Sequence, residues 1–129
     1  MIDQSDPFNE AALAGRRDFL DQGAGNARIR LYVAPRPTPG DTPAGVMLAE
    51  IALDKPCGVV NAGQLVLTSS AIPVAVNSGG AAWARWVNGN GDWAMDTDCG
   101  DESSSAEVKL QDTTILAGGE VTLVSAVLG

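Results

Sequence analysis

Hydrophobic positions near the start of the chain recur at the three- and four-residue spacing of an α-helix, over residues 6–22. The apolar positions of this helix are Phe8, Ala12, Leu13, Gly15, Phe19 and Leu20. Asp6 can cap it, with Pro7 at the first helical position, where a missing N–H costs nothing. The glycines of "DQGAGN" end it. The pattern predicts an amphipathic helix that packs on its own domain or on a neighbouring chain.

From Arg28 the hydrophobic period changes to two. In "RIRLYV" the residues Ile29, Leu31 and Val33 share one face, which is typical of a half-buried strand. Further short runs of this kind are separated by Gly and Pro; they are "VMLAEIAL", "QLVLTS", "IPVAV", "AAWARWV", "DWAMD", "AEVKL", "TTIL" and "EVTLVSAVL". About eight short antiparallel strands at this spacing indicate an all-β domain, a β-sandwich or a barrel.

The length of 129 residues indicates one domain with a single core. We predict an N-terminal arm and helix over residues 1–26 and one β-domain over residues 27–129. Hydrophobic residues make up 45% of the chain but aromatic residues only 5%, so the core is mainly aliphatic. We expect the greatest flexibility in the first five residues, in the proline-rich loop "APRPTPGDTPAG" and in the acidic, serine-rich loop "DCGDESSS".

Charge and composition exclude several functions. A net charge of −8 argues against direct binding of nucleic acid and against adhesion to anionic lipid. The chain has no histidine, which removes the usual general base, the commonest zinc ligand and every Ser-His-Asp scheme. The first thirty residues are acidic and lack an apolar segment, so they predict neither a signal peptide nor a membrane anchor. We expect a soluble, intracellularly made protein.

The two cysteines, Cys57 and Cys99, lie 42 positions apart and form no CxxC motif. They could pair, but without a secretion signal two reduced, partly buried thiols are the expected state.

The stretch "WVNGNGDWAMDTDCGDE", residues 86–102, contains every member of the one carboxylate cluster; these are Asp92, Asp96, Asp98, Asp101 and Glu102. Calcium prefers several oxygen ligands from one loop, so Asp96, Asp98, Asp101 and Glu102 are weak candidates for a metal site. Their spacing does not match the twelve-residue calcium loop. "NGNG" is a strong turn signal. The favoured interpretation is a surface hairpin whose acids are solvated and prevent edge-to-edge aggregation, with no metal and no cofactor.

The three tryptophans are candidates for contacts. Trp83 and Trp86 point to opposite faces of one predicted strand and cannot form a shared shelf. At least one of them is expected in the core, whereas the other, or Trp93, is available to a partner.

The remaining polar groups predict no chemistry. Arg28 and Arg30 on one strand face, with Arg16 and Arg17 on the helix, are expected to pair with the chain's own surplus acids. The serines have no base partner and are interpreted as turn residues. Because no nucleophile, base and oxyanion site assemble, the sequence predicts a protein that is not an enzyme.

The run "ARIRLYVAPRPTPGDTPAGVMLAEIALDKPCG" resembles small structural proteins of tailed bacteriophages. It has a strand ending in "LY", a "RP…G" loop, and "LAEIAL" followed by an x-Pro break. The later elements match in order: a strand with Trp83 and Arg85, a glycine turn, an aspartate-bearing return strand and "DTTILAGGEVTLVSAVL". The similarity covers about residues 27–129. It is a pattern of strands and turns, and the cysteines, the extra tryptophans and the helix depart from it.

This resemblance implies a jelly-roll-like β-sandwich assembled into a virion, and within that group a head decoration or cement protein. The implied partner is the major capsid protein of a tailed phage, with the chain on the capsid exterior as a homodimer or higher homo-oligomer. The interface candidates are Phe8, Leu13, Phe19, Trp83, Trp86 and Trp93. The alternatives are a structural protein of the tail, neck or fibre, and a carbohydrate-binding β-sandwich. The weakest alternative is a calcium-dependent or hydrolytic enzyme that uses Asp96 and Asp98.

Overall fold

A computed structural model describes residues 3–129 of the protein; Met1 and Ile2, in the predicted N-terminal arm, lie outside the described residues. Helix α1 spans Asp6–Leu20. Its N-cap is Ser5, whose hydroxyl accepts a hydrogen bond from the Phe8 N–H at 3.3 Å. The prediction that Asp6 is the cap is therefore wrong by one position: Asp6 already belongs to the first turn, where its charge suits the positive end of the helix dipole.

Residues 3–129 also contain ten strands. Their bounds are β1 Arg28–Tyr32, β2 Met47–Ala52, β3 Gly58–Asn61, β4 Gln64–Leu67, β5 Gly79–Gly80, β6 Trp83–Val87, β7 Trp93–Asp101, β8 Val108–Leu110, β9 Thr114–Ile115 and β10 Leu123–Leu128. Eight of them form one curled sheet in the order β2-β1-β6-β7-β8-β10-β4-β3, and β5 pairs with β9 apart from it. The β-rich class and the single N-terminal helix are confirmed.

The sheet is mixed, so the prediction of purely antiparallel strands is wrong. Strand β8 runs parallel to β7, with Cys99 opposite Val108. The chain leaves β7 at Asp101 and returns through the loop 102–107 to run beside the end of the same strand. Gly100 permits this close return, because a Cβ there would lie 2.4 Å from the Ser104 hydroxyl. A pattern of apolar positions does not specify the direction of a pairing partner.

Side chains from both halves of the curled sheet form one core. The β1 prediction is confirmed, with Ile29 and Leu31 fully buried between the half-buried Arg28 and Arg30. Both tryptophans of β6 are buried, since the strand is covered on both faces. The extended segment 74–77 follows one edge of the sheet, where the Val76 N–H donates to the Leu48 carbonyl at 2.8 Å.

Helix α1 packs on its own domain, and Leu13 and Leu20 enter the shared core. The Asn9 amide donates to the Gly63 carbonyl at 3.2 Å, next to the β3–β4 turn. Just past the end of the helix, the Asp21 carboxylate accepts from the Cys57 N–H at 2.9 Å. Within residues 3–129, no helix is long and apolar enough to cross a membrane.

Candidate functional site

The acidic hairpin forms as the sequence predicts, with β6 and β7 antiparallel around the Asn88–Gly91 turn. The buried Asn88 side chain organises this turn by accepting from the N–H groups of Asn90 and Asp92. Asp96 lies opposite Arg85 in the ladder, and Asp98 lies opposite Trp83. The two carboxylates therefore share one face of β7, as their spacing predicts.

Asp96 is the centre of this face, and its side chain is completely buried. Arg85 donates to both carboxylate oxygens, at 2.8 Å from Nε and 3.0 Å from Nη2. The indole of Trp93 donates at 3.1 Å and the backbone N–H of Gly40 at 3.2 Å. Burial alone would raise the pKa of Asp96, but these hydrogen bonds and the charge of Arg85 hold it below its usual value. Asp96 is thus an ionised structural group with its acceptor positions in use.

Arg85 is held on its other side by aromatic rings. Its guanidinium carbon lies 5.3 Å from the ring centroid of Trp83. Trp83 stacks on Tyr32 with centroids 4.7 Å apart, and its indole N–H donates to the Val33 carbonyl at 3.0 Å. The hydrogen bond to Asp96 is the main cause that raises the pKa of Arg85, so the guanidinium stays charged.

The proline-rich loop lies over the same face. Arg36 donates to the Asp98 carboxylate at 3.0 Å and to the Asp96 carbonyl at 2.7 Å. Gly40 has a φ of 84°, and a Cβ at this position would lie 3.5 Å from the Trp93 ring. These hydrogen bonds attach the loop to the sheet, whereas the sequence predicted a loop among the most flexible parts of the chain. Arg36 and Gly40 were missed because loop residues carry no periodicity.

Three of the four candidate metal ligands are engaged with the protein itself. Asp96 is held by Arg85, and Asp98 by Arg36. Asp101 accepts from the backbone N–H and the hydroxyl of Ser103, and these hydrogen bonds lower its pKa. In the part of the chain that the structure describes, no three acidic or cysteine side chains converge as metal ligands. Glu102 is an exposed residue of the same turn.

The predicted pairing with acids is confirmed for three of the four arginines. Arg17 lies 3.5 Å from Asp18, whereas Arg16 makes no ion pair within residues 3–129. Arg30 contacts Glu50 at 2.8 Å, and Arg28 reaches the same carboxylate at 3.8 Å. These pairs are partly exposed and of small energetic value, but they neutralise the only concentrated positive charge on β1. The geometry provides no free basic surface for a polyanion at this strand.

The six predicted contact residues divide into two groups. Leu13, Trp83 and Trp86 are at most 2% exposed and belong to the interior, so they cannot form a surface for a partner. Trp86 is buried with its indole N–H donating to the Thr97 hydroxyl at 2.9 Å. Phe8, Phe19 and Trp93 are exposed by 67%, 37% and 44% and remain available.

A groove of about 420 Å³ lies between the end of α1 and the start of β7. It is lined by Arg16, Phe19, Leu20, Ala94 and Met95. We call this surface the helix groove. Phe19 was predicted from helical spacing, but Ala94 and Met95 were not, because the docking of a helix beside a hairpin depends on the tertiary fold. The groove is mainly apolar, with one cation.

A second apolar surface was missed entirely by the sequence reasoning. It consists of six exposed residues, Val59, Val66, Ile72, Val74, Val76 and Val124, and we call it the valine face. A signal for it was present in the sequence: the 29 residues from Pro56 to Ala84 include no charged side chain. In a chain that is 19% charged, so long an uncharged run with outward-facing valines indicates a covered surface.

The cysteines are free and buried, which confirms the prediction of reduced thiols. Burial raises the pKa of Cys57 to about 12 and that of Cys99 to about 12. Neither thiol is a nucleophile near neutral pH, because only the thiolate reacts readily.

Comparisons of the chain with protein-family models, with curated proteins and with solved structures gave no significant match. The functional argument therefore depends on the chain's own geometry and on the resemblance of its strand and turn order.

Proposed function

We propose that the chain is a non-enzymatic structural protein of a tailed-phage virion, and specifically a decoration protein that stabilises the head by contacting the major capsid protein. The virion assignment depends on the similarity of residues 27–129 to small phage structural proteins. The observation that carries the contact role is the helix groove, where Phe19 and the half-exposed Ala94 and Met95 surround an open apolar concavity.

The scaffold under this groove suits a contact surface rather than a reaction site. Leu20, beside Phe19, is fixed in the core, and β7 is fixed by the Arg85–Asp96 pair and by the proline-rich loop. A groove that is rigid before binding loses little conformational entropy when a partner segment fills it. The proposed occupant is an apolar segment of the major capsid protein that ends in an acidic residue facing Arg16.

The net charge of −8 supports placement on the capsid exterior, away from the packaged polyanion.

The jelly-roll-like sandwich belongs to the same proposal. In it, the two layers would be β2-β1-β6-β7 and β8-β10-β4-β3, whose apolar residues already share one core. Many identical weak contacts around a shell would together oppose the internal pressure.

The test is co-sedimentation of the protein with undecorated heads of its phage, scored for saturation per capsid subunit. We expect saturable binding at a fixed ratio and heads that resist heat better. Phe19→Ser should weaken binding at least tenfold, whereas Leu116→Ser, a change at a more exposed apolar residue outside the groove, should not. Failure of the unaltered protein to bind intact heads would reject the decoration role and favour the tail, neck or fibre.

One observation favours carbohydrate binding as a second candidate function. Trp93 is 44% exposed at the start of β7, and an exposed tryptophan ring is what a sugar-stacking site requires. Tryptophan fluorescence that changes on addition of glycans, and does so only while Trp93 is present, would support this function. A fluorescence signal unchanged across a glycan panel would reject it.

A further inference from the structure

We propose that two copies of this chain associate through the valine face, which leaves the helix groove free for another partner. This inference concerns a different surface from the one in the proposed function. It holds whether or not the chain binds a capsid.

The first part of the valine face is a row across the last strands of the sheet. Val59 on β3 is the direct partner of Val66 on β4, and Val66 is the direct partner of Val127 on β10. Cross-strand partners point to the same face, so the three side chains are neighbours. Val59 is 60% exposed at the edge of the sheet, while Val127 is half-buried.

The second part is the extended segment 72–76. Ile72, Val74 and Val76 are exposed by 66%, 57% and 60%, while the intervening Ala75 is buried. This alternation is that of a strand with its apolar side outward, the reverse of what a solvated surface strand shows. The segment is fixed by hydrogen bonds from the Ala75 N–H to the Gly119 carbonyl and from the Val121 N–H to the Pro73 carbonyl, both at 2.9 Å. Its outward side is therefore a stable feature of the fold.

A groove of about 310 Å³ lies next to both parts, since its lining includes Leu67, which follows Val66 on β4, and Ile72, which begins the segment 72–76. Ile72 lies on one wall and Val124 on the other, and the floor includes the end of β4 at Leu67. Val124 occupies the irregular position in the pairing of β10 with β8, which turns its side chain outward. The apolar surface thus continues from the β3 edge to the segment 72–76.

Charge identifies a second copy as the occupant. The valine face draws five of its six residues from the uncharged run Pro56–Ala84, so these residues bring no charge of their own into a contact between two copies. The net charge of −8 therefore comes from residues outside this run. The borders of the valine face are also complementary: Lys109, which makes no ion pair within residues 3–129, flanks β10, and Glu120 pairs with Val74. In a two-fold contact, Lys109 of each copy can meet Glu120 of the other.

The size of the surface is also suitable. Six branched side chains at these exposures present on the order of 500 Å² of apolar area, the scale of the largest patches on monomers. Together with the polar border, this approaches the roughly 800 Å² per partner of a standard interface.

The test is sedimentation equilibrium of the full chain at concentrations up to roughly 0.1 mM, where an interface of this size should form. We expect a dimer. Val74→Glu should raise its dissociation constant at least a hundredfold, because it places two like charges in an apolar contact. Phe8→Glu, a control of similar exposure on helix α1, should leave it unchanged. An equimolar mixture of Val74→Glu and Val74→Lys proteins should associate more tightly than either variant alone.

A monomeric unaltered chain, or a Val74→Glu protein that dimerises normally, would overturn the inference. Circular dichroism of each variant separates loss of association from loss of fold. Co-sedimentation of Val74→Glu with phage heads separates this inference from the proposed function. If monomeric Val74→Glu protein still binds heads, the surface that contacts the shell is separate from the valine face. If the unaltered protein dimerises but does not bind heads, only the decoration role is rejected.

Discussion

Arg85 and Asp96 form a two-point ion pair across the β6–β7 hairpin, with the guanidinium Nε and Nη2 at 2.8 and 3.0 Å from the two carboxylate oxygens. The arginine side chain is 10% exposed and the carboxylate is not exposed at all. The pair explains how a buried carboxylate is accommodated on β7, a partly buried strand. One of its carboxylates is a fixed element of the fold, and Asp98 beside it holds the proline-rich loop through Arg36.

Asp96→Asn should strongly destabilise the protein. The substitution keeps the shape but removes the charge that neutralises Arg85, and loss of one partner from a buried pair costs about 3–5 kcal/mol. The measurement is urea unfolding followed by circular dichroism.

Asp98→Asn is the matched control, because its side chain is 71% exposed and its pair with Arg36 lies at the surface. We expect it to cost less than about 1 kcal/mol. The double variant Arg85→Met with Asp96→Leu should be more stable than Asp96→Asn, since no charge is left without a partner. Equal stability of Asp96→Asn and Asp98→Asn would contradict the central place of Asp96.

Acid should weaken the fold through the same residue. The pKa of Asp96 is lower in the folded chain than in the unfolded chain, where it is about 3.9. The unfolded state therefore binds the proton first, and the stabilisation is fully present above about pH 3.9 and is lost as the pH falls through the folded value. Urea unfolding measured from neutral pH to pH 2 should show this loss, and Asp96→Asn should show a smaller one. The same acid dependence in both proteins would assign the effect to other carboxylates.

The sequence was sufficient for the elements but not for their pairing. The helix, the two-residue period of β1 and the hairpin turn follow from local spacing, and local spacing is what a sequence records directly. A four-residue "NGNG" turn without irregularity would pair Arg85 with Ala94. The observed partner is Asp96, because the register shifts near the turn, including between Trp86 and Val87. This two-residue displacement keeps the faces of β7 but changes the partner of Arg85, and the pattern of apolar positions does not record it, so the ion pair could not be predicted.

The parallel pairing of β7 and β8 and the helix groove were unpredictable for a related reason. Each depends on which distant segment lies alongside. The burial of Trp83 and Trp86 illustrates this point. One face of a strand normally packs in the core and the other faces solvent. Here the proline-rich loop lies over the outer face through Arg36, and the Trp83 indole N–H donates to the carbonyl of Val33, the residue before that loop.

The two cysteines should weaken the fold in alkali. Their thiols have pKa values of about 12 in the folded chain and about 8.5 when unfolded, so above pH 8.5 the unfolded state loses protons first. Stability should then fall by about 1.4 kcal/mol per pH unit for each thiol until the pH nears 12. Urea unfolding between pH 7 and 11 measures this slope, and Cys57→Ala with Cys99→Ala should flatten it. In the native protein at neutral pH, neither thiol should react with iodoacetamide, and fast alkylation would contradict their burial.

Trp93 should account for nearly all quenching of the native fluorescence by acrylamide. Trp83 and Trp86 are at most 1% exposed, whereas Trp93 is 44% exposed at the edge of the hairpin. Acrylamide is the suitable quencher because it is neutral and the acidic protein does not repel it. Trp93→Phe should lower the quenching constant several-fold and shift the emission to the blue, while losing about 1 kcal/mol of stability with the hydrogen bond to Asp96. Trp83→Phe should leave the fluorescence that acrylamide quenches unchanged, because that fluorescence comes from Trp93. If Trp93→Phe protein is quenched as strongly as the unaltered chain, a buried tryptophan must be reached by local opening of β6.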